Sequence, residues 1–156
     1  MRFRRLTTEE LFSLETEFKQ FLIISEQYDE EWRILVETEP EKAEEFIALF
    51  SDLVLEKVYS QLAYLVHFSD SMVSFFDVRN NPLKAYHIKR SDHLPLQDEH
   101  MLQQALVEHF DQLSFYIGEK SLVKQKADEV FDLIRKGSEA CDESYFLKYT
   151  AHFTRI

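Results

Sequence analysis

"YLVHFSDSMVSFFDVRNN", residues 64–81, decides the fold. On either side of "SDS" the large apolar residues recur at every second position, and a second turn signal, "RNNP" at 79–82, leads into "LKAYHIK". The spacing predicts a three-stranded antiparallel meander, with its first strand already under way near Val58. Pairing Phe68 with Met72 and Val78 with Leu83 puts Leu62, Tyr64, Val66, Phe68, Met72, Phe76, Leu83 and His87 on one face. Ala63, Leu65, His67, Val73, Phe75, Tyr86 and Ile88 fall on the other, and Asp77 lands opposite Lys84 as a favourable cross-strand pair. An antiparallel sheet with one wet face shows polar residues at alternate positions, and neither face here does. Each large apolar side chain gains roughly 1.5–3 kcal/mol on burial, against a total stability of about 5–15 kcal/mol. Both faces therefore need cover, by helices on two sides or by helices on one and a second copy of the chain on the other.

The flanking sequence reads as helix. Thr7 and Glu10 have capping-box spacing ahead of Leu11, Leu14, Phe18, Phe21 and Leu22, which predicts a helix over about 8–24. A short second helix begins after Asp29, which caps it, with Trp32, Leu35 and Val36 inward. Thr38, Pro40 and Glu41 open a third over about 39–56, with a stripe of Ala43, Phe46, Ile47, Phe50, Leu53 and Val54. Beyond the meander, a helix from about Asp98 precedes a short strand at 113–118. Another starts at Ser121, carries Val123, Ala127, Val130, Phe131 and Ile134, and stops at Lys136 and Gly137; the last covers about 142–153. The expected class is α+β, an antiparallel sheet of three to four strands packed with helices in the order ααα-βββ-α-β-αα. With two Gly and three Pro there is no room for a flexible linker, so residues 1–156 read as a single domain.

Net charge is −11, and it is uneven: residues 1–60 hold 15 acids against 7 bases, net −8. Nucleic-acid binding replaces counterions with Lys and Arg, so this balance argues against it and against anionic membrane surfaces. A basic protein partner fits the charge better. The single cysteine, Cys141, can form no internal disulfide, and "MRFRRLTTEELF" lacks the apolar stretch of a secretory leader, which points to the cytoplasm. "FKQFLIIS" is too short to cross a bilayer.

Catalytic signatures are hard to find. None of His67, His87, His93, His100, His109 and His152 has a Glu three residues before it or a second His four away, so no metal site is expected. Cys141 sits among acids in "SEACDES", which raises a thiol pKa rather than lowering it. Two isolated glycines cannot build a phosphate loop, and no cofactor is implied. Asp52 interrupts the apolar run "LFSDLV", yet an Asp there commonly accepts from a nearby backbone N–H. Tyr28, Glu30, Glu31 and Trp32 combine acid with aromatic area, which would suit a basic, partly apolar surface.

"RFRRLTTEELFSLETEF", "FSDLVLEKV" and "AYLVHFSDSMVSFFDV", in that order, resemble a family of small bacterial proteins of unknown function. The resemblance implies a cytoplasmic single-domain protein and carries no activity, cofactor or site residue onto any position. The leading expectation for function is a non-enzymatic protein-interaction module acting through its acidic helices. The competing one is a small-ligand binder or enzyme with a pocket between sheet and helices, drawing on Asp52, Tyr64, Tyr86 or His87. The doubly apolar sheet would also suit a homodimer.

Overall fold

A computed structural model describes residues 1–155, and these form two compact units, Met1–Val58 and Tyr59 onward. The first is helical: α1 (Thr8–Ser13), α2 (Glu15–Ile24), α3 (Asp29–Thr38) and α4 (Pro40–Gln61), the last turn of which belongs to the second unit. The capping box is formed in both directions, Glu10 N–H donating to Thr7 Oγ1 at 3.1 Å and Thr7 N–H to Glu10 Oε1 at 2.9 Å. The helix it opens does not run unbroken to residue 24. It breaks at Leu14, directly after the Ser13 hydroxyl donates to the Glu10 carbonyl (2.8 Å), a side-chain bond that competes with the helical ladder. Tyr28 rather than Asp29 holds the cap position of α3, and Thr38 bonds back to the Ile34 carbonyl.

The core of this unit is aromatic. Phe18 packs against Trp32 edge-on at 5.5 Å and against Phe50 at 5.0 Å, while Trp32 meets Phe46 at 6.2 Å. Val36 and Leu53, expected inside, are exposed. The N-terminal segment is clasped along α4: Asp52 accepts from the Arg2 and Phe3 N–H groups at 2.7 and 2.9 Å, and Ser51 Oγ from that of Leu6 at 3.0 Å. Arg5 closes a two-bond fork on Glu44 at 2.8 and 3.0 Å.

The second unit holds β1 (Tyr64–Phe68), β2 (Met72–Asp77), β3 (Leu83–Arg90), α5 (Glu99–Glu108), β4 (Leu113–Lys120), α6 (Lys126–Arg135), β5 (Glu139–Cys141) and α7 (Glu143–Thr150). Its strands make one antiparallel sheet in the order β4-β3-β2-β1-β5. The expectation of three to four strands is corrected to five, because Glu139–Cys141 pairs with Tyr64–Val66. The first strand starts at Tyr64 rather than near Val58, since α4 continues to Gln61, and α6 begins at Lys126 rather than Ser121.

Asp77 does oppose Lys84. On the other side of β2, Phe68 opposes Val73 rather than Met72, a slip of one residue that exchanges the faces of β1 relative to β2. The cause is Ser69, whose N–H and hydroxyl both donate to the Met72 carbonyl at 2.9 and 2.8 Å, so the turn is one residue tighter. Tyr64, Val66 and Phe68 consequently share a face with Phe75, Val73, Tyr86 and Ile88; Leu65 and His67 share the other with Phe76, Ser74 and His87. His67 and His87, expected on opposite faces, flank Ser74 on the same one.

Both faces are covered over the central strands, while at the β4 edge Tyr116 on one face and Ile117 on the other stay exposed. Val66, Val73, Phe75 and Ile88 pack with Leu102 and Ala105 of α5 and with Phe146 and Tyr149 of α7, the Phe75 and Tyr149 rings stacking at 5.4 Å. Over the other face, where Leu65, Ser74 and Leu83 are buried, lies α6. α6 ends on Gly137 at φ 118°, a left-handed conformation, and a Cβ there would come within 3.0 Å of His67 Nε2.

Candidate functional site

The acidic surface lies where the sequence places it. Glu30 and Glu31 stand exposed in the first turn of α3, at the positive end of the helix dipole, and Tyr28 is exposed at its cap. Trp32 turns inward onto Phe18 and Phe46, so it anchors the helix while its outer side borders a shallow hollow of about 440 Å³ shared with Arg33 and Val36. The same unit leaves Phe12, Ile23, Ile24, Ile34, Leu49 and Leu53 in solvent, Ile34 at 54% and Ile24 at 83%. Of these only Leu53 was expected inside; the helical stripes leave Phe12, Ile23, Ile24, Ile34 and Leu49 off the buried side.

Of the four expected pocket residues Asp52 belongs to the first unit, and within the second unit Tyr64 and Tyr86 share a sheet face while His87 lies on the other. Both carboxylate oxygens of Asp52 are engaged by the Arg2 and Phe3 N–H groups, a fastening role. Tyr64 and Tyr86 share a sheet face and line one hollow of about 530 Å³ with Phe146 and Arg79, whose guanidinium lies 5.1 Å from the Tyr64 ring. That guanidinium also grips Asp77 at 2.9 Å and holds its carboxyl below the ordinary range. His87 lies on the opposite face, its Nδ1 2.6 Å from Ser74 Oγ, and burial pushes its pKa down.

A further hollow, of about 660 Å³, is lined by Phe68, Asp98, Glu99, Cys141, Asp142 and Tyr145 among others. Its acids are mostly occupied. Asp98 and Asp142 cap α5 and α7, each accepting a backbone N–H at 2.8 Å, and Glu99 accepts the Tyr149 hydroxyl at 2.6 Å. Burial, with Asp142 beside it, pushes the Cys141 thiol up to about 11, which suppresses the reactive thiolate. Burial also raises the Tyr145 hydroxyl, and Glu99 adds to the effect. Among the described residues, no cluster of His, Cys, Asp and Glu has the arrangement of a metal site, and no helix is long and apolar enough to cross a membrane.

Residues 1–153 match the family of unknown function DUF6495, and the chain belongs to that family. No curated protein and no solved structure shows significant similarity to it.

Proposed function

We propose that the chain is a cytoplasmic, non-enzymatic protein-interaction module whose acidic helical unit, residues 1–58, recognises a basic and partly apolar partner. The observation that carries the reading is the company kept by the exposed apolar side chains. Ile34 and Val36 on α3 lie in solvent among Glu30, Glu31 and Glu37, in a unit that holds 15 acids against 7 bases. Exposed apolar area supplies binding free energy, and the surrounding carboxylates steer a cationic partner and reject acidic ones. Asp52, Ser51 and Glu44 hold the N-terminal segment against α4, which lowers the cost of ordering that segment on binding.

The test is capture of partners from cytosol with wild-type bait, with the charge-reversed Glu30→Lys/Glu31→Lys bait, and with Ile34→Ser. The reading expects a partner retained by the wild type, lost as salt rises, and lost with either variant bait. A retained set identical for all three baits would remove this surface from consideration.

A further inference from the structure

The α6 side of the sheet contains a hollow of about 250 Å³ with an origin that can be traced to one residue. Gly118 sits in the interior of β4 opposite Ala85, and a Cβ built there would meet nothing within 4 Å. Glycine in a strand interior weakens the strand and commonly marks a close approach by something else. Among the described residues none makes that approach here. Phe76, Leu83 and Ala85 form the apolar floor, and Leu133 of α6 closes the hollow from above.

Apart from the charged residues Glu119, Lys120 and Glu129, one polar residue lines this space. His87 lines the hollow, and its ring is oriented by the short Nδ1 contact with the buried Ser74 hydroxyl (2.6 Å) and by the edge contact with Phe76 (6.3 Å, 85°). That leaves Nε2 as the free hydrogen-bonding atom, without a partner among the described residues. Two of the rim charges satisfy one another, since Glu129, buried, accepts from Lys120 Nζ at 3.1 Å and from the Val123 and Lys124 N–H groups at 3.4 and 3.3 Å, while Glu119 stands opposite Lys84 in the ladder and so directs its side chain to the other face of the sheet. Burial raises the Glu129 carboxyl, but these donors outweigh it and hold the group below the ordinary range, so it stays ionised and paired.

We propose that this hollow binds a small, uncharged, largely apolar molecule carrying one hydroxyl, which pairs with His87 Nε2. Size sets the scale of the ligand: an apolar cavity of about 150 Å³ accommodates benzene, so a hollow of 250 Å³ takes a substituted single ring. The hydroxyl follows from the imidazole. With burial lowering its pKa the ring is neutral at pH 7, and Nε2 donates in one tautomer and accepts in the other. A hydroxyl complements either, whereas a carboxylate or an ammonium would have to leave water for a site with no unpaired counter-charge.

The test is a titration of the full chain with p-cresol and with toluene, reading the His87 imidazole nitrogen resonances. p-Cresol should move the Nε2 resonance saturably, and toluene should bind at least about tenfold more weakly because it leaves Nε2 unpaired. Gly118→Leu fills the hollow from β4, and Ala85→Val narrows it from β3, so the conclusion does not depend on one variant folding. Each should abolish the p-cresol response while retaining the far-ultraviolet circular dichroism of the wild type. His87→Phe should bring the two ligands to equal affinity. An Nε2 resonance indifferent to p-cresol would overturn the proposal, as would equal binding of toluene by the wild type or a response that survives in a folded Gly118→Leu chain.

Discussion

Phe75 and Phe76 are adjacent on β2 and identical in chemistry, yet the fold treats them differently. Phe75 is fully buried and stacked on Tyr149 at 5.4 Å, with Tyr145 at 6.2 Å. Phe76 is half-buried and already borders a hollow. Truncating a buried phenylalanine removes its transfer free energy and leaves a cavity, about 3–5 kcal/mol together. Phe75→Ala should fall in that range, which for a chain of this size lowers Tm by roughly 6–20 °C. Phe76→Ala should cost clearly less, about 1–2 kcal/mol, because part of its surface is wet in the native state and the site around it is loosely filled. Urea unfolding followed by circular dichroism measures both, and Phe75→Leu keeps a transition on scale if Phe75→Ala leaves too little folded protein. Equal losses for the two alanine variants, or a larger one for Phe76, would refute the assignment of the two sides of β2.

Other expectations concern single side chains. Glu10 is drawn down to about 2, first by the Arg4 guanidinium and then by the Thr7 N–H, from an ordinary value of 4.5. A carboxyl with its folded pKa depressed stabilises above the unfolded value, and that contribution is lost as pH falls through the folded one. Tm should therefore drop between about pH 4.5 and 2, and Glu10→Gln should make that drop shallower; an unchanged slope contradicts the pairing. Cys141, with its thiol near 11, should react slowly with a disulfide reagent at pH 8 and at the rate of a free thiol in guanidinium, and fast native labelling would show the thiolate is accessible. Asp52→Ala should cost about 1–3 kcal/mol by freeing the Arg2 and Phe3 N–H groups, and it should speed amide exchange at Leu6; unchanged exchange would mean the clasp is not cooperative.

Local chemistry was legible wherever one side chain sufficed to specify it. Thr7 with Glu10, Asp98 at the start of α5 and Gly137 at the end of α6 are where their residue types put them, and Asp52 makes the backbone bonds its setting suggested. Asp77 opposite Lys84 was legible because opposite charges and the "RNNP" turn agree on the register. Phe68 opposite Val73 was not, since a serine can end a strand or join its turn, and only the Ser69 to Met72 bonds decide. β5 escaped because three residues carry no measurable period and its pairing partner lies some seventy-five residues earlier. Tyr64 shares a face with Tyr86 rather than with His87 for the same reason as the register, and Gly118 gave no signal because an absent side chain has no periodicity.

The most direct trial of the central claim, that a sheet apolar on both faces is covered on both by helices of its own chain, is thiol labelling. Leu65→Cys reports one face and Phe75→Cys the other, each in a Cys141→Ala background at a concentration where the chain is monomeric. Both cysteines should remain unlabelled until global unfolding, in step with loss of the circular dichroism signal. Labelling of either in the folded monomer at the rate of an exposed thiol would show an open face and contradict the account.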